Sequence, residues 1–152
     1  MGKFITIATL AFVAMAAKGQ NLAYIVNQAS NSLSVMSTVD ETILHTIPVG
    51  NFPDSIAFSP DGSRGYVTLG NDFRLAVIDL ANNVIVDSIP LANGLSALAI
   101  SPDGARAWVT NVFGSVAVVN LTTKAIEAVI PVGSVPTDIA ITPVSRRSSL
   151  PA

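Results

Sequence analysis

The chain has 152 residues, of which 50% are hydrophobic and 12% charged, with a formal net charge of -2 and no cysteine. This length ordinarily gives one domain, with ample apolar residues for a core. The mildly acidic balance and the lack of a basic block disfavour nucleic acid as a partner, because phosphate binding needs clustered positive charge. Without cysteine, stability must come from packing and backbone pairing, and no lipid can be attached through a cysteine.

The first 19 residues predict a secretory signal peptide. Lys3 supplies one positive charge, and residues 4–17 form an uncharged, mostly apolar run of 14. This run is shorter than the ~20 residues of a transmembrane helix but fits the apolar centre of a signal peptide. Small residues permit cleavage after Ala16 or after Gly19. We expect a mature chain that begins near Gln20 and is periplasmic or secreted, with no transmembrane anchor; an uncleaved anchor is the alternative.

From residue 20 onward, a unit of about 42 residues recurs, which is typical of a repeat architecture. Aromatic residues begin three similar segments at a spacing of 42, namely Tyr24-Ile25-Val26-Asn27, Tyr66-Val67-Thr68-Leu69 and Trp108-Val109-Thr110-Asn111. Nearly the same spacing relates three proline segments, Ile47-Pro48-Val49-Gly50, Ile89-Pro90-Leu91-Ala92 and Ile130-Pro131-Val132-Gly133.

Short apolar runs and turn residues alternate within each unit and predict four strands. In the middle unit the predicted strands are residues 55–59, 65–69, 75–79 and 84–89. Ser59-Pro60-Asp61-Gly62 joins the first two, and Ser101-Pro102-Asp103-Gly104 repeats it. Proline at the second position presets its backbone angle and glycine at the fourth accepts positive φ, so we expect a type I turn with a bulge.

The predicted strands are apolar on both faces, as Leu75-Ala76-Val77-Ile78 and Val116-Ala117-Val118-Val119 illustrate. A sheet with one wet face would alternate, so we expect each sheet to lie between two others. Small residues recur in the first strands, at Ala57, Ala99 and Ala140, as expected where wedge-shaped sheets converge on an axis. Four-stranded antiparallel sheets arranged in this way form an all-β fold, the β-propeller. We expect Tyr24, Tyr66 and Trp108 to pack between blades.

The Tyr-Val-Thr-Asn-like strand, the Ser-Pro-Asp-Gly turn and the Ile-Pro-Val-Gly segment resemble the YVTN family of β-propeller repeat proteins over residues 21–143. The resemblance implies a bacterial or archaeal surface-layer or periplasmic protein. Roles in that family and in distant propellers include cell-surface architecture, binding, and cofactor-dependent oxidation or lyase chemistry. The chain departs from the motif at Leu69, which replaces asparagine, and at Gly94-Leu95, which replaces a proline-containing segment.

The strand count predicts three blades' worth of sheet, in residues 20–143. The repeats open at a second strand, Asn21 to Asn27, and close with a lone first strand, Thr137 to Ile141; residues 144–152 read as a disordered tail. Propeller rings usually contain four to eight blades. Three alternatives follow: a truncated piece of a longer propeller, a homodimer that exchanges these strands to form a six-bladed ring, or an open arc.

Loops between second and third strands, and between consecutive blades, are expected on one rim around the channel. They supply the candidate ligand-binding residues Asn51, Asp54, Asn71, Asp72, Arg74, Asn93, Phe113 and Asp138. Asparagine in such turns often bonds its own backbone. An aromatic beside amides, here Phe113 or Phe52, can hold a carbohydrate or a peptide side chain. We therefore expect a binding or scaffold module for another protein or a glycan.

Catalytic residue types are scarce, so the sequence predicts no enzyme, no metal site and no cofactor. The single histidine, His45, has no cysteine to join it as a zinc ligand, and no nucleophile stands beside a base. The alternative is part of a cofactor-dependent propeller enzyme, a quinoprotein-like oxidoreductase or a lyase. Its channel would use Asp54, Arg74 and His45.

Overall fold

The computed structural model describes residues 14–17 and 20–143. Within this part of the chain, no helix is long and apolar enough to cross a membrane. In these residues, twelve strands form three four-stranded antiparallel sheets. Of the predicted signal peptide, residues 1–19, only residues 14–17 are among those described. The predicted tail, residues 144–152, lies outside the described residues.

Each sheet pairs its strands in chain order, every strand antiparallel to the next. The first sheet consists of β1 (Ala14–Ala17), β2 (Gln20–Asn27), β3 (Ser32–Ser37) and β4 (Ile43–Pro48). The second consists of β5 (Pro53–Phe58), β6 (Arg64–Leu69), β7 (Arg74–Asp79) and β8 (Val84–Pro90). The third consists of β9 (Leu95–Ile100), β10 (Arg106–Asn111), β11 (Ser115–Asn120) and β12 (Ile126–Pro131). The predicted four strands per unit are confirmed.

The core lies between successive sheets, as the apolar faces predict. Val67 and Ile78 of the second sheet pack against the first, while Leu75 and Ile89 of the same sheet pack against the third. All four side chains are at most 1% exposed, and burying one such side chain contributes about 1.5–3 kcal/mol. The sheets are the blades of a β-propeller.

The aromatic residues of the repeat lie at the sheet junctions in two of three cases. Tyr24 belongs to the core between the first and second sheets, and Tyr66 to the core between the second and third. Burial raises the pKa of both phenols. Trp108 pairs with Val118 on the face of the third sheet that points away from the second, and it is only partly buried.

The predicted Ser-Pro-Asp-Gly turns form with the expected backbone. Gly62 and Gly104 both have φ of +72°, and the Gly62 N–H donates to the Ser59 carbonyl at 2.9 Å. The Asp61 carboxylate accepts the Ser59 hydroxyl at 2.6 Å and the Ser63 N–H at 3.0 Å. These bonds, Ser59 first, lower the pKa of Asp61 to about 2.

One prediction about the chain ends, the lone first strand Thr137 to Ile141, does not hold for the single chain. Residues 137–141 form no strand in the structure. The first strand of the first sheet is instead Ala14–Ala17, which pairs with Gln20–Ala23. A strand needs a partner backbone to satisfy its N–H and C=O groups. A short hairpin brings Ala14–Ala17 beside β2. Residues 137–141 follow the third sheet, and the second sheet comes between that sheet and the first.

Candidate functional site

The predicted rim exists, and we call it the top rim. Backbone hydrogen bonds join each loop between second and third strands to the segment that leaves the same sheet: Val49 N–H to Asn31 O, Leu91 N–H to Phe73 O and Val132 N–H to Gly114 O, at 2.8–3.1 Å. Because these bonds recur in all three sheets, the loops lie at one end of the stack. The top rim comprises residues 28–31, 49–52, 70–73, 91–94, 112–114 and 132–135.

A chain of polar side chains links the first two sheets on this rim. The Asn31 carboxamide oxygen accepts the Phe52 N–H at 3.0 Å. Asn51 donates its side-chain amide and its backbone N–H to the Asp72 carboxylate, at 2.8 and 2.9 Å. The Asn51 side chain, followed by its N–H, lowers the pKa of Asp72. Asn51 and Asp72 therefore hold two loops together.

The other predicted polar residues lie apart from this pair. Asp54, in β5, accepts the Gln28 amide at 3.0 Å. Asn71 and Asn93 are exposed, and the Asn93 carbonyl accepts the Asn111 side chain. Exposed Asp138 accepts the Ile139 N–H at 2.8 Å, beyond the last strand. The structure thus separates the eight candidates into a central group and scattered outliers.

A groove of about 410 Å³ brings Asp72 and Arg74 together. The Arg74 Nε donates to the Asp72 carbonyl at 3.3 Å, and the guanidinium side chain remains exposed. Apolar side chains also line the groove, together with two further polar ones: Val49, Leu69, Ala76, Ile85 and Val86, then Asp87 and Ser88. A groove with one guanidinium, two carboxylates and several apolar side chains can accept a peptide side chain or a sugar ring, each of which has polar and apolar parts.

Three phenylalanines extend from the top rim into solvent. Phe52, Phe73 and Phe113 are 44%, 49% and 75% exposed. Phe73 is not among the residues predicted from the sequence. It has φ of +55° at the position that Asn31 and Gly114 occupy in the other sheets. Asparagine and glycine tolerate left-handed backbone and phenylalanine does so at a cost. The sequence did contain a signal for this residue: an aromatic residue stands at a loop position where the other two repeats have asparagine and glycine.

The residues of the alternative enzyme hypothesis lie in three different strands. Asp54 lies in the first strand of the second sheet, Arg74 begins the third strand of that sheet, and His45 lies in the last strand of the first sheet. Across residues 14–17 and 20–143, no three His, Cys, Asp or Glu side chains form a group that could hold a metal ion.

Comparison with known proteins supports the fold. No protein-family model matches the chain, and no curated protein matches it. Among solved structures, the chain is similar to Kuenenia stuttgartiensis hydrazine synthase, with a TM-score of 0.72 and 19% sequence identity over 90% of this chain. The match spans 42% of the hydrazine synthase chain. At this identity the likeness shows the shared fold alone.

Proposed function

We propose that this chain is an exported, non-catalytic propeller repeat protein of the YVTN type, and that it binds a protein or a glycan through its top rim. The observation that carries the proposal is the exposure of Phe52, Phe73 and Phe113 on one rim, at 44–75%. Exposed aromatic rings grouped on a surface favour a binding role, because leaving large apolar area in water is unfavourable unless a partner covers it.

The polar groups of the same rim support a binding role over a catalytic one. Asn51 and Asp72 bond each other across two loops, so they provide a rigid edge instead of reactive groups. Arg74 stays exposed at the groove and can pair with a carboxylate or bond a row of hydroxyls. The rim thus combines apolar contacts with a few directional polar ones.

Alanine replacement of all three rim phenylalanines tests the proposal. The probes are a glycan array and a random peptide library displayed on phage, both screened with the wild-type protein. We expect the triple variant to lose about tenfold or more in affinity for a selected ligand, since aromatic anchors dominate such interfaces. Val39→Ala serves as the control, because Val39 is 71% exposed and lies in the turn after β3, outside the top rim.

Three results would contradict the proposal. One is a selected ligand that binds the triple variant and the wild type equally, and another is the absence of any ligand in both screens. A stoichiometric chromophore or metal in the native protein would favour the enzyme alternative. Export has its own test: mass spectrometry of the secreted chain is expected to find an N-terminus at Ala17 or Gln20, following cleavage after Ala16 or Gly19.

A further inference from the structure

The face of the third sheet that points away from the second is open along β12, although Val116 and Val118 of the same face are 8% and 5% exposed. Ile47, Ile89 and Ile130 occupy the same place in the last strands of the three sheets. Ile47 is 3% and Ile89 1% exposed because the next sheet covers each, whereas Ile130 is 40% exposed. Every residue of β12 is exposed. The third sheet therefore has the apolar residue of the junction, but no described sheet packs over it.

The face of the first sheet that points away from the second has the residues of the other half of this junction. Ile25 and Met36 lie on its face away from the second sheet and are partly buried. They match Val67 and Ile78, which are 0% exposed at the junction of the first and second sheets. Asn27, on the same face of the first sheet, matches Asn111, which is 8% exposed at the next junction. The two faces thus carry the residues of the two halves of the junction that the chain already forms twice.

A segment after β12 has the sequence of a first strand. Pro53, Ile56 and Ala57 of β5 recur as Pro136, Ile139 and Ala140. In the structure this segment forms no strand; Ile139 is partly buried while Asp138 and Ala140 are exposed. The burial of its residues alternates as in a strand, but among the described residues no sheet edge pairs with it.

The register of the other sheets shows where this segment would fit. Ile56 pairs with Val67 and Ala57 with Tyr66. The same register places Ile139 opposite Ile25 and Ala140 opposite Tyr24, on the inner edge of β2. Among the described residues, β1 pairs with Gln20–Ala23 and leaves the edge at Tyr24 and Ile25 without a described strand. The same register places Ile141 opposite Ala23, so the full pairing needs most or all of β1 to be absent, as the proposed cleavage after Ala16 or Gly19 would bring about.

We propose that a second copy of this chain completes both features. The three described sheets are fewer than the four to eight blades of a closed ring. About a twofold axis, the third sheet of each copy packs against the first sheet of the other, and residues 136–141 of each pair with the partner's β2. The product is a closed ring of six sheets. This proposal concerns sheet faces and the inner edge of β2, so it stands or falls independently of ligand binding at the top rim.

Light scattering coupled to size-exclusion chromatography of the exported protein tests this assembly. We expect twice the mass of a single processed chain, and Ile130→Asp is expected to raise the dimer dissociation constant at least about 30-fold, as for a charge placed in a desolvated contact. Val129→Asp is the matched control: Val129 is 61% exposed in the same strand and pairs with Ala117, on the other face. Circular dichroism should show both variants folded.

Crosslinking gives a second, independent measurement. The chain has no cysteine, so the double variant Ile25→Cys, Ile139→Cys carries only the designed pair. Oxidation is expected to give a covalent dimer on a denaturing gel. A monomer at every concentration, an intramolecular disulfide, or equal dissociation constants for Ile130→Asp and Val129→Asp would each overturn the proposal.

Discussion

Two buried threonines connect the first strands of the second and third sheets to the strands beside them. Thr68 Oγ1 accepts the Ser55 N–H at 3.0 Å and donates to the Ser96 carbonyl of the third sheet at 2.8 Å. Thr110 Oγ1 accepts the Ala97 N–H at 2.9 Å. The pairing of β5 with β6 is irregular between Pro53 and Ile56, so the hydroxyl supplies a partner where the backbone ladder does not. The threonine of the repeat is therefore structural.

Thr68→Val tests this role, because valine keeps the shape and removes the hydroxyl. Thr68 is 0% exposed, and the variant leaves a buried N–H and a buried carbonyl with one partner fewer. We expect the free energy of unfolding to fall by about 1–3 kcal/mol in urea denaturation. Thr46→Val, at an exposed position in β4, is the control and should change it by less than about 0.5 kcal/mol. Equal effects of the two substitutions would refute the assignment.

Asp61 gives the folded state a defined pH dependence. Its pKa is about 2 in the folded chain against an ordinary 3.8, so the folded state binds its proton less readily than the unfolded state does. The stabilisation is complete above pH 3.8 and is lost as the pH falls toward 2. We expect Asp61→Asn to lower the urea midpoint at pH 6, with the gap to wild type narrowing between pH 4 and pH 2. Glu41→Gln, in an exposed turn, should track the wild type; a gap independent of pH would refute the prediction.

At the scale of the strand, the sequence predicts most of the fold because each element carries its own local signal. The middle unit shows this: its predicted strands at residues 65–69 and 84–89 differ by one residue at an end from the observed Arg64–Leu69 and Val84–Pro90. Apolar runs mark the strands, and the Pro-Asp-Gly turns mark the hairpins. These signals lie within a few residues of each other, so the strands can be predicted without reference to the rest of the chain.

The failures concern features that depend on distant partners. Residues 137–141 have the composition of a strand, but a strand forms only beside another backbone. Likewise, Asn51 and Asp72 bond across 21 positions of the sequence, and no local pattern indicates that pairing. The groove beside Arg74 combines Val49, in the segment between β4 and β5, with residues of β6, β7 and β8. The candidate site was therefore predicted as a rim and not as a set of contacts.

The loop before β9 supplies a prediction about glycine and its neighbour. Gly94 has φ of +77°, and a Cβ added there would lie 2.7 Å from Phe113 Cε2 and 2.9 Å from Val112 Cγ2. We expect Gly94→Ala to destabilise the fold by about 1–2 kcal/mol from the left-handed backbone alone, with a further steric cost. Phe113→Ala should cost little, because Phe113 is 75% exposed.

A double-mutant cycle separates the two costs in thermal and urea unfolding. Adding Phe113→Ala to Gly94→Ala should recover the part of the steric cost that comes from the ring, and leave the cost of the left-handed backbone and of the contact with Val112. Gly133→Ala is the control, since an added Cβ there meets nothing within 4 Å. Additive effects of the two substitutions would show that the ring does not crowd Gly94.

On the scale of the whole molecule, the described chain is a one-dimensional stack. The second sheet contributes Val67 to one junction and Leu75 to the other, whereas the first and third sheets each bury one face against it. In such a stack, stability is approximately the sum of each unit and its interfaces. The middle unit therefore opens only when both junctions are lost, and the outer units open at a lower free energy.

Hydrogen exchange measured by mass spectrometry should reveal this order. In the Ile130→Asp variant, which we expect to be monomeric, amides of β6 and β7 should exchange most slowly and those of β3 and β11 faster, because each of the latter strands has a sheet against one face only. In the wild-type protein at concentrations that favour the closed ring, the outer sheets gain a second neighbour, so their protection should approach that of β6 and β7. The Val129→Asp control should follow the wild type. Equal protection of all three sheets in the monomeric variant would show that the three sheets unfold as one cooperative unit. It would contradict the expectation that each junction between sheets contributes separately to stability.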